Sequence, residues 1–326
     1  MHKFTEASTF LATGHKGWIM DAIAKNSASA IGIHPKFQYI TFSRREILSP
    51  LNFKTRFFPK FSPLNLFMHH STFLKIADQH DLQLFKNFVF VTHFEKPMPN
   101  MLPEIRKLMN ADRILVQNTN NARMIEQLGF DPKNISVVYG AVDRKFYFPE
   151  SASTLKQELF VLIVGDCKPR KNPKLIERVI DFMPDVKFII HGKNWQAYTT
   201  LGSVPRKNVQ ILDFQLDRNP TLMRTASTVL SLAENEGGPF PLLEALASGT
   251  PVVATDTGFS ADLISNLNGV LLSQNPKLDQ ISAAIRCSVE LKNEVSSKDL
   301  LCGKYTWSDL GKQLYNGIKL GHLDDE

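Results

Sequence analysis

Residues 234–255 read ENEGGPFPLLEALASGTPVVAT. The apolar run TVLSLA (228–233) precedes them, and a loop with two glycines and two prolines leads into the small-residue helix PLLEALASG, which ends at Gly249 and passes into a second apolar run, PVVAT. Strand, loop, helix, strand is the unit from which parallel sheets with crossover helices are built. Two carboxylates, Glu236 and Glu244, bracket the loop.

The same pattern extends outward in both directions. ELFVLIVG (158–165) is a continuous apolar run, as expected for a strand buried on both faces. NPKLIERVIDFM has helical spacing at Leu175, Val179 and Phe182. VKFIIHG and NVQILDF read as strands, NPTLMRTA as a helix and GVLLS as a last strand. Upstream, TFLAT (9–13), FQYITF (37–42), NLFMHH (65–70), FVFVTH (88–93), DRILVQN (112–118) and ISVVYG (135–140) read as strands, and NNARMIEQLGF as a helix with Ala122, Ile125 and Leu128 on one face. The class is α/β with two Rossmann-like domains: 1–150, then 151–305 after a joint in the polar stretch 143–157. The segment 306–326 carries Trp307, Leu310, Leu314 and Ile318 on one helical stripe. It packs on the second domain or, coming after that domain is complete, crosses back to the first.

The bulk composition agrees. The chain has 326 residues, of which 43% are hydrophobic and 21% charged, as in ordinary globular proteins. The net charge of +6 suits an anionic ligand or surface. With no RNA- or DNA-binding motif beside it, nucleic acid is not an expected partner. Cys167, Cys287 and Cys302 are scattered and form no zinc pattern, which fits a reduced, cytoplasmic protein. The amino terminus lacks the apolar core of a signal peptide, and no run approaches the ~18 apolar residues of a membrane span.

In open parallel sheets ligands bind beyond the carboxyl ends of the strands. GDCKPRKN (165–172), HGKNW (191–195), ENEGGPFP (234–241) and TDTG (255–258) all fall there. Gly237 and Gly238 let the backbone approach a ligand, and Pro241 fits a first helical turn. The N–H groups near Leu242 and Leu243 offer an anion site. Glu244 is read as lying in that first turn, where a carboxylate repels phosphate but accepts bonds from hydroxyls such as a ribose diol. Its presence there also has a purely structural explanation in the helix dipole. Glu236, on the other side of the anion site, is placed to hold sugar hydroxyls or face developing positive charge. Lys171 and Arg170 are the cations for phosphate, although KPRK also reads as a solvated loop.

Glu236, seven residues and Glu244, followed by ALASGTPVVAT, resemble the E-x7-E region of retaining glycosyltransferases of family 4, which have the GT-B fold. VGDCKPRKNP resembles that family's phosphate loop. Residues 111–149, with YGAVD, resemble the close of its first domain, and YTWSDLGKQLY resembles its terminal helix. The likeness covers about residues 111 to 320. It implies two Rossmann-like domains facing a cleft, with the last helix returning to the first domain. It further implies a hexosyltransferase that moves sugar from a nucleoside-diphosphate sugar, UDP or GDP, to a hydroxyl of a glycan or lipid-linked acceptor in polysaccharide biosynthesis. The donor is a co-substrate, and no cofactor or metal is implied, in keeping with the lack of a DxD. By the same likeness Glu236 contacts the transferred sugar, Glu244 the ribose and Lys171 the diphosphate, with Arg170, Gly165, Gly237, Gly238, Phe240, Pro241, Leu242 and Leu243 completing the donor site. His93, after FVFVT, stands where the family carries an active-site histidine, and a capping role fits it equally. Gly14 and Gly17 in ATGHKGW form a candidate acceptor or phosphate loop. The sequence departs from the family at Asp166, where an arginine is usual.

His69 and His70, ending another strand, are read as lining the ligand side rather than holding a metal. Residues 36–61 carry six basic residues, one acid and several aromatics. They suit peripheral contact with the inner face of a membrane, and equally a solvated basic insertion. Two rivals stand beside the transferase: an epimerase or phosphorylase on the same architecture, and a degenerate GT-B protein that binds sugar nucleotide or glycan without catalysis.

Overall fold

The computed structural model describes residues 9–13, 19–39, 64–77, 86–93, 106–149, 159–201 and 203–320. The chain divides into two compact units, Met1–Tyr139 with Trp307–Glu326, and Gly140–Thr306.

The first unit runs β1 (Thr9–Thr13), α1 (Ile19–Ala30), β2 (Lys36–Tyr39), β3 (Leu64–Phe67), α2 (His70–Ala77), β4 (Lys86–Val91), β5 (Arg113–Val116), α3 (Thr119–Gln127) and β6 (Ile135–Val137). Its six strands lie in the order β2-β1-β3-β4-β5-β6, and every pairing is parallel. Such strands are covered on both faces, which is why FVFV and ILV are uninterrupted apolar runs. Phe67, Phe73, Val89, Val91, Ile114 and Val116 share one core with Ile125 of α3, and Ala122 and Leu128 pack against it as the spacing required. Asn118 caps α3, its side chain accepting from Asn121 N–H at 2.7 Å. Gly14, Gly17 and most of the basic stretch 36–61 lie outside the described residues.

The second unit runs β7 (Phe160–Val164), α4 (Pro173–Phe182), β8 (Lys187–His191), β9 (Val209–Leu212), α5 (Asn219–Thr225), β10 (Thr228–Ser231), α6 (Phe240–Ala247), β11 (Val252–Thr255), α7 (Ser260–Leu263), β12 (Gly269–Leu272) and α8 (Leu278–Val295). Its order is β12-β11-β10-β7-β8-β9, again all parallel. Counted from β7 this is the doubly wound order 3-2-1-4-5-6, whose direction reverses between β7 and β10.

Two expectations need correction. The joint does not fall at 150/151, because residues 140–149 are held by the second unit. Val142 N–H donates to Tyr305 O at 2.8 Å, Arg144 pairs with Asp299 at 2.7 Å, and Tyr147 accepts from Asn219 Nδ2 at 3.0 Å. The buried face of α4 is Ile176, Val179 and Ile180, while Phe182 is 51% exposed. Leu175 and Val179 alone did not fix the phase of the stripe. The last helix, α9 (Trp307–Leu320), packs within the first unit, as the crossing-back reading expected. It buries Leu310, Leu314 and Ile318, while Trp307 is only partly covered. Gly311 lets α9 approach α1, since a Cβ there would lie 2.7 Å from Ser27 O. Gln313 Oε1 accepts from Tyr139 N–H at 2.9 Å. Among the described residues no helix is long and apolar enough to cross a membrane.

One buried cation ties the second unit together. Lys292 of α8 donates through Nζ to Arg224 O at 3.1 Å, Gly249 O at 3.0 Å and Thr250 Oγ1 at 2.7 Å. Lys292→Met keeps much of the stem but leaves these acceptors unmatched, at a cost of about 3 kcal/mol. The expected result is a melting point lowered by roughly 6–12 °C in calorimetry.

Candidate functional site

The reversal between β7 and β10 leaves a crevice at the carboxyl edge, because the helices after the two strands leave on opposite faces. A cavity of ≈ 190 Å³ lies there. Its floor is Val164 from β7 and Val229, Leu230 and Ser231 from β10. Its polar wall is Lys171 and Glu236, and its rim is the start of α6, from Gly238 to Leu242. Residues dispersed between positions 164 and 242 therefore meet because their strands are neighbours.

Lys171 sits in the turn that carries β7 toward α4. Gly165 has φ +118°, a conformation open to glycine, and a side chain there would run into the Lys171 ammonium. Burial pulls the Lys171 ammonium below the ordinary lysine range, Arg170 and Lys168 push the same way, and Glu236 and Asp166 oppose them. A partly desolvated cation in a concave wall is a site for an anion.

Arg170 does something different from what the sequence suggested. Its Nη1 contacts Glu236 Oε2 at 2.5 Å and donates to Asn235 O at 3.0 Å, so it braces the 234–238 loop. It is not among the residues lining the cavity. Lys171 Nζ stands 3.9 Å from Glu236 Oε1, and Thr257 Oγ1 accepts from Glu236 N–H at 3.0 Å. Gly237 O packs against Gly258. Asp166 Oδ1 accepts from Lys193 N–H at 3.1 Å. Trp195 Nε1 donates to Gly165 O at 3.1 Å, so the loop after β8 steadies the phosphate-loop candidate.

The helix start is also tighter than expected. Leu242 N–H is used by Pro239 O at 2.9 Å, and Leu243 is fully buried, which shrinks the anticipated anion site. Since α6 begins at Phe240, Glu244 is its fifth residue and lies in the second turn, not the first. There it accepts from Asn219 Nδ2 at 2.9 Å beside the Tyr147 hydroxyl. Desolvation pushes the carboxyl up to about 7, against the pull of the Tyr147 and Asn219 hydrogen bonds. Asn219 and Tyr147 had no assigned role in the sequence. The only clue to Asn219 was its place before Pro220 at a helix start, and Tyr147 carried none.

In the first unit His93 follows β4, with Thr92 Oγ1 at 3.2 Å from its Nδ1. His69 and His70 stack, their centroids 4.6 Å apart, at the end of β3. Burial lowers His69 to about 4, with His93 and Lys75 adding to it, and His70 to about 3, with His69 and His93 adding to it. Among the described residues no group of three or more His, Cys, Asp or Glu is arranged to hold a metal. Histidines whose folded pKa lies below the unfolded value bind fewer protons folded than unfolded. Their contribution is complete above about 6.5 and is lost as pH falls from there toward 3. Melting points measured between pH 4 and 7 should therefore rise with pH, and the slope should flatten in His69→Gln/His70→Gln.

The chain was compared with known proteins. Residues 144–298 match the family model "Glycosyl transferases group 1". The UDP-Gal:alpha-D-GlcNAc-diphosphoundecaprenol alpha-1,3-galactosyltransferase of Escherichia coli is 25% identical over 211 residues, covering 57% of this chain and 53% of that protein. The D-inositol 3-phosphate glycosyltransferase of Mycobacterium tuberculosis is 29% identical over 166 residues, 45% of this chain and 35% of that one. The chain thus spans about half, or less, of the length of these relatives. Among solved structures, Anabaena HepE in complex with UDP-glucose aligns with a TM-score of 0.76 at 16% identity, over 95% of this chain and 99% of that one. The lipopolysaccharide outer core galactosyltransferase WaaB aligns with a TM-score of 0.70 at 16% identity, over 95% and 98%. The fold is that of the GT-B glycosyltransferases.

Proposed function

We propose that this chain is a retaining hexosyltransferase that takes sugar from a nucleoside-diphosphate sugar, UDP or GDP, and delivers it to a hydroxyl of a glycan or lipid-linked acceptor. The observation that carries the reading is the switch-point cavity, where Lys171, Glu236 and the start of α6 converge with Glu244 on the following turn. The match of residues 144–298 to a glycosyltransferase model supports it, since the cavity is built from that region.

In this reading the diphosphate lies against Lys171, the transferred sugar against Glu236 and the ribose against Glu244. Departure of the nucleotide puts negative charge on its terminal phosphate and positive character on the sugar. A fixed ammonium and a fixed carboxylate stabilise these without reorganisation. Lys171 supplies the charge that a divalent cation would otherwise bring, so neither metal nor cofactor takes part, and chelation leaves turnover unchanged. The acceptor attacks from the face the diphosphate leaves, which retains the anomeric configuration without a covalent enzyme intermediate. The protein works at the cytoplasmic side, where the basic stretch 36–61 touches the membrane holding a lipid-linked acceptor.

A thermal-shift panel of UDP-, GDP-, ADP- and dTDP-sugars tests the reading. A ligand at 100 times its Kd stabilises by about 2.7 kcal/mol, or roughly 5–11 °C for a protein of this size. A shift confined to one base, followed by product whose anomeric proton matches the donor, is the expected result. The absence of any shift would overturn it, and binding without turnover on any acceptor would leave a sugar-nucleotide-binding protein.

A further inference from the structure

Glu244 lies at the end of a hydrogen-bond chain that starts on a backbone amide of the turn between β9 and α5. His191, the last residue of β8, is fully buried, and its Nε2 accepts from Gln215 N–H at 3.0 Å. A neutral imidazole has one donor nitrogen and one acceptor, so an N–H at Nε2 puts the ring proton on Nδ1. Nδ1 faces Asn219 Oδ1 at 3.1 Å and donates to it. The Asn219 amide is then oriented, its oxygen on the imidazole and its nitrogen on the far side. There Nδ2 donates to Glu244 Oε2 at 2.9 Å and to Tyr147 Oη at 3.0 Å. A flipped Asn219 would set NH2 against N–H and a carbonyl against the carboxylate, two repulsive contacts in a buried place. Burial and the nearby Arg218 both hold His191 below the ordinary histidine range, the Asn219 bond opposing them, which keeps the ring in the neutral form the chain needs.

We propose that His191 is a positioning residue of the nucleotide site: through the Asn219 amide it holds the Glu244 carboxylate in the orientation that accepts a ribose hydroxyl. This rests on the reading of Glu244 as the ribose partner. His191 reaches the ligand only through Asn219. The ring of Phe214, stacked on His191 with centroids 4.8 Å apart, shields the chain on one side.

Two substitutions separate positioning from packing. His191→Gln keeps an acceptor for Gln215 N–H and a donor for Asn219, whereas His191→Phe keeps a ring and removes both. The readout is the ratio of Kd for the 2′-deoxy form to Kd for the ribo form of the nucleoside diphosphate, UDP or GDP, that the thermal-shift panel selects, by calorimetry. One hydrogen bond to a charged acceptor makes this ratio about tenfold or more in the unaltered protein. It is expected to stay near that value in His191→Gln and to fall toward 1 in His191→Phe. Asn219→Leu should behave like His191→Phe and carries the test if the latter does not fold. An unchanged ratio in the folded Phe or Leu variant overturns the proposal. If the unaltered protein binds both forms equally, the ribose reading of Glu244 falls instead. Hydrogen exchange of the Asn219 side-chain amide, by NMR, then decides the positioning role. Slow exchange that becomes fast in His191→Phe supports it, and equal exchange overturns it.

Discussion

Glu236→Gln is expected to lower kcat about 100- to 1,000-fold while nucleotide affinity changes by less than roughly fivefold. The substitution keeps shape and removes charge. In the folded protein Glu236 is the counter-ion of two cations, with Arg170 at 2.5 Å and Lys171 at 3.9 Å. Neutralising it leaves the Lys171 ammonium in the cavity available to a diphosphate, so ground-state binding of nucleotide has no reason to weaken. What is lost is a fixed acceptor for sugar hydroxyls and a negative charge close to where positive charge develops. An interaction that matters chiefly in the transition state shows as kcat. Arg170 retains Asn235 O, so the loop keeps its brace. Glu244→Ala should give the opposite profile, with nucleotide Kd raised about tenfold and turnover at saturation little altered. Equal losses of both quantities in both variants would refute this division between the carboxylates.

Lys171→Met is expected to cost about 3–4 kcal/mol in kcat, on the scale of removing one donor to a developing anion. Affinity for the nucleoside diphosphate should fall too, but by less, because negative charge on the leaving oxygen grows as the sugar bond breaks. The geometry makes the effect specific to an ammonium at this point. Arg170, the neighbouring cation, is engaged with Glu236 and Asn235 and cannot swing over without abandoning the loop. Gly165→Ala provides an independent check, since its methyl group would displace the Lys171 ammonium and its backbone has a positive φ. Steady-state kinetics paired with nucleotide titration measure both variants. Full activity in Lys171→Met would remove the diphosphate from this cavity.

The alternation of apolar runs with periodic segments was enough to read the class and the positions of the strands. Each buried parallel strand must be apolar along its length, and each crossover helix must show an apolar stripe. The polar residues after the strands were legible for the same local reason, and Lys171, Glu236 and the Gly238–Leu242 turn do line one cavity. Strand order is not a local property. Only tertiary structure placed β7 beside β10, and with that the crevice between them. Local pattern also left the stripe of α4 one step out of phase, because three apolar residues at 175, 179 and 182 fit two rotations of the helix and packing against the sheet chose the other. Glu244 shows the limit most clearly. Its partners Tyr147 and Asn219, and His191 behind Asn219, are far off in sequence, and a single polar residue in the chain carries no mark of the partner it will bury against. The sequence alone could thus determine which residues stand at the carboxyl edge. Which of them bind ligand and which hold one another, as Arg170 holds Glu236, was decided by distances that exist only after the sheet has formed.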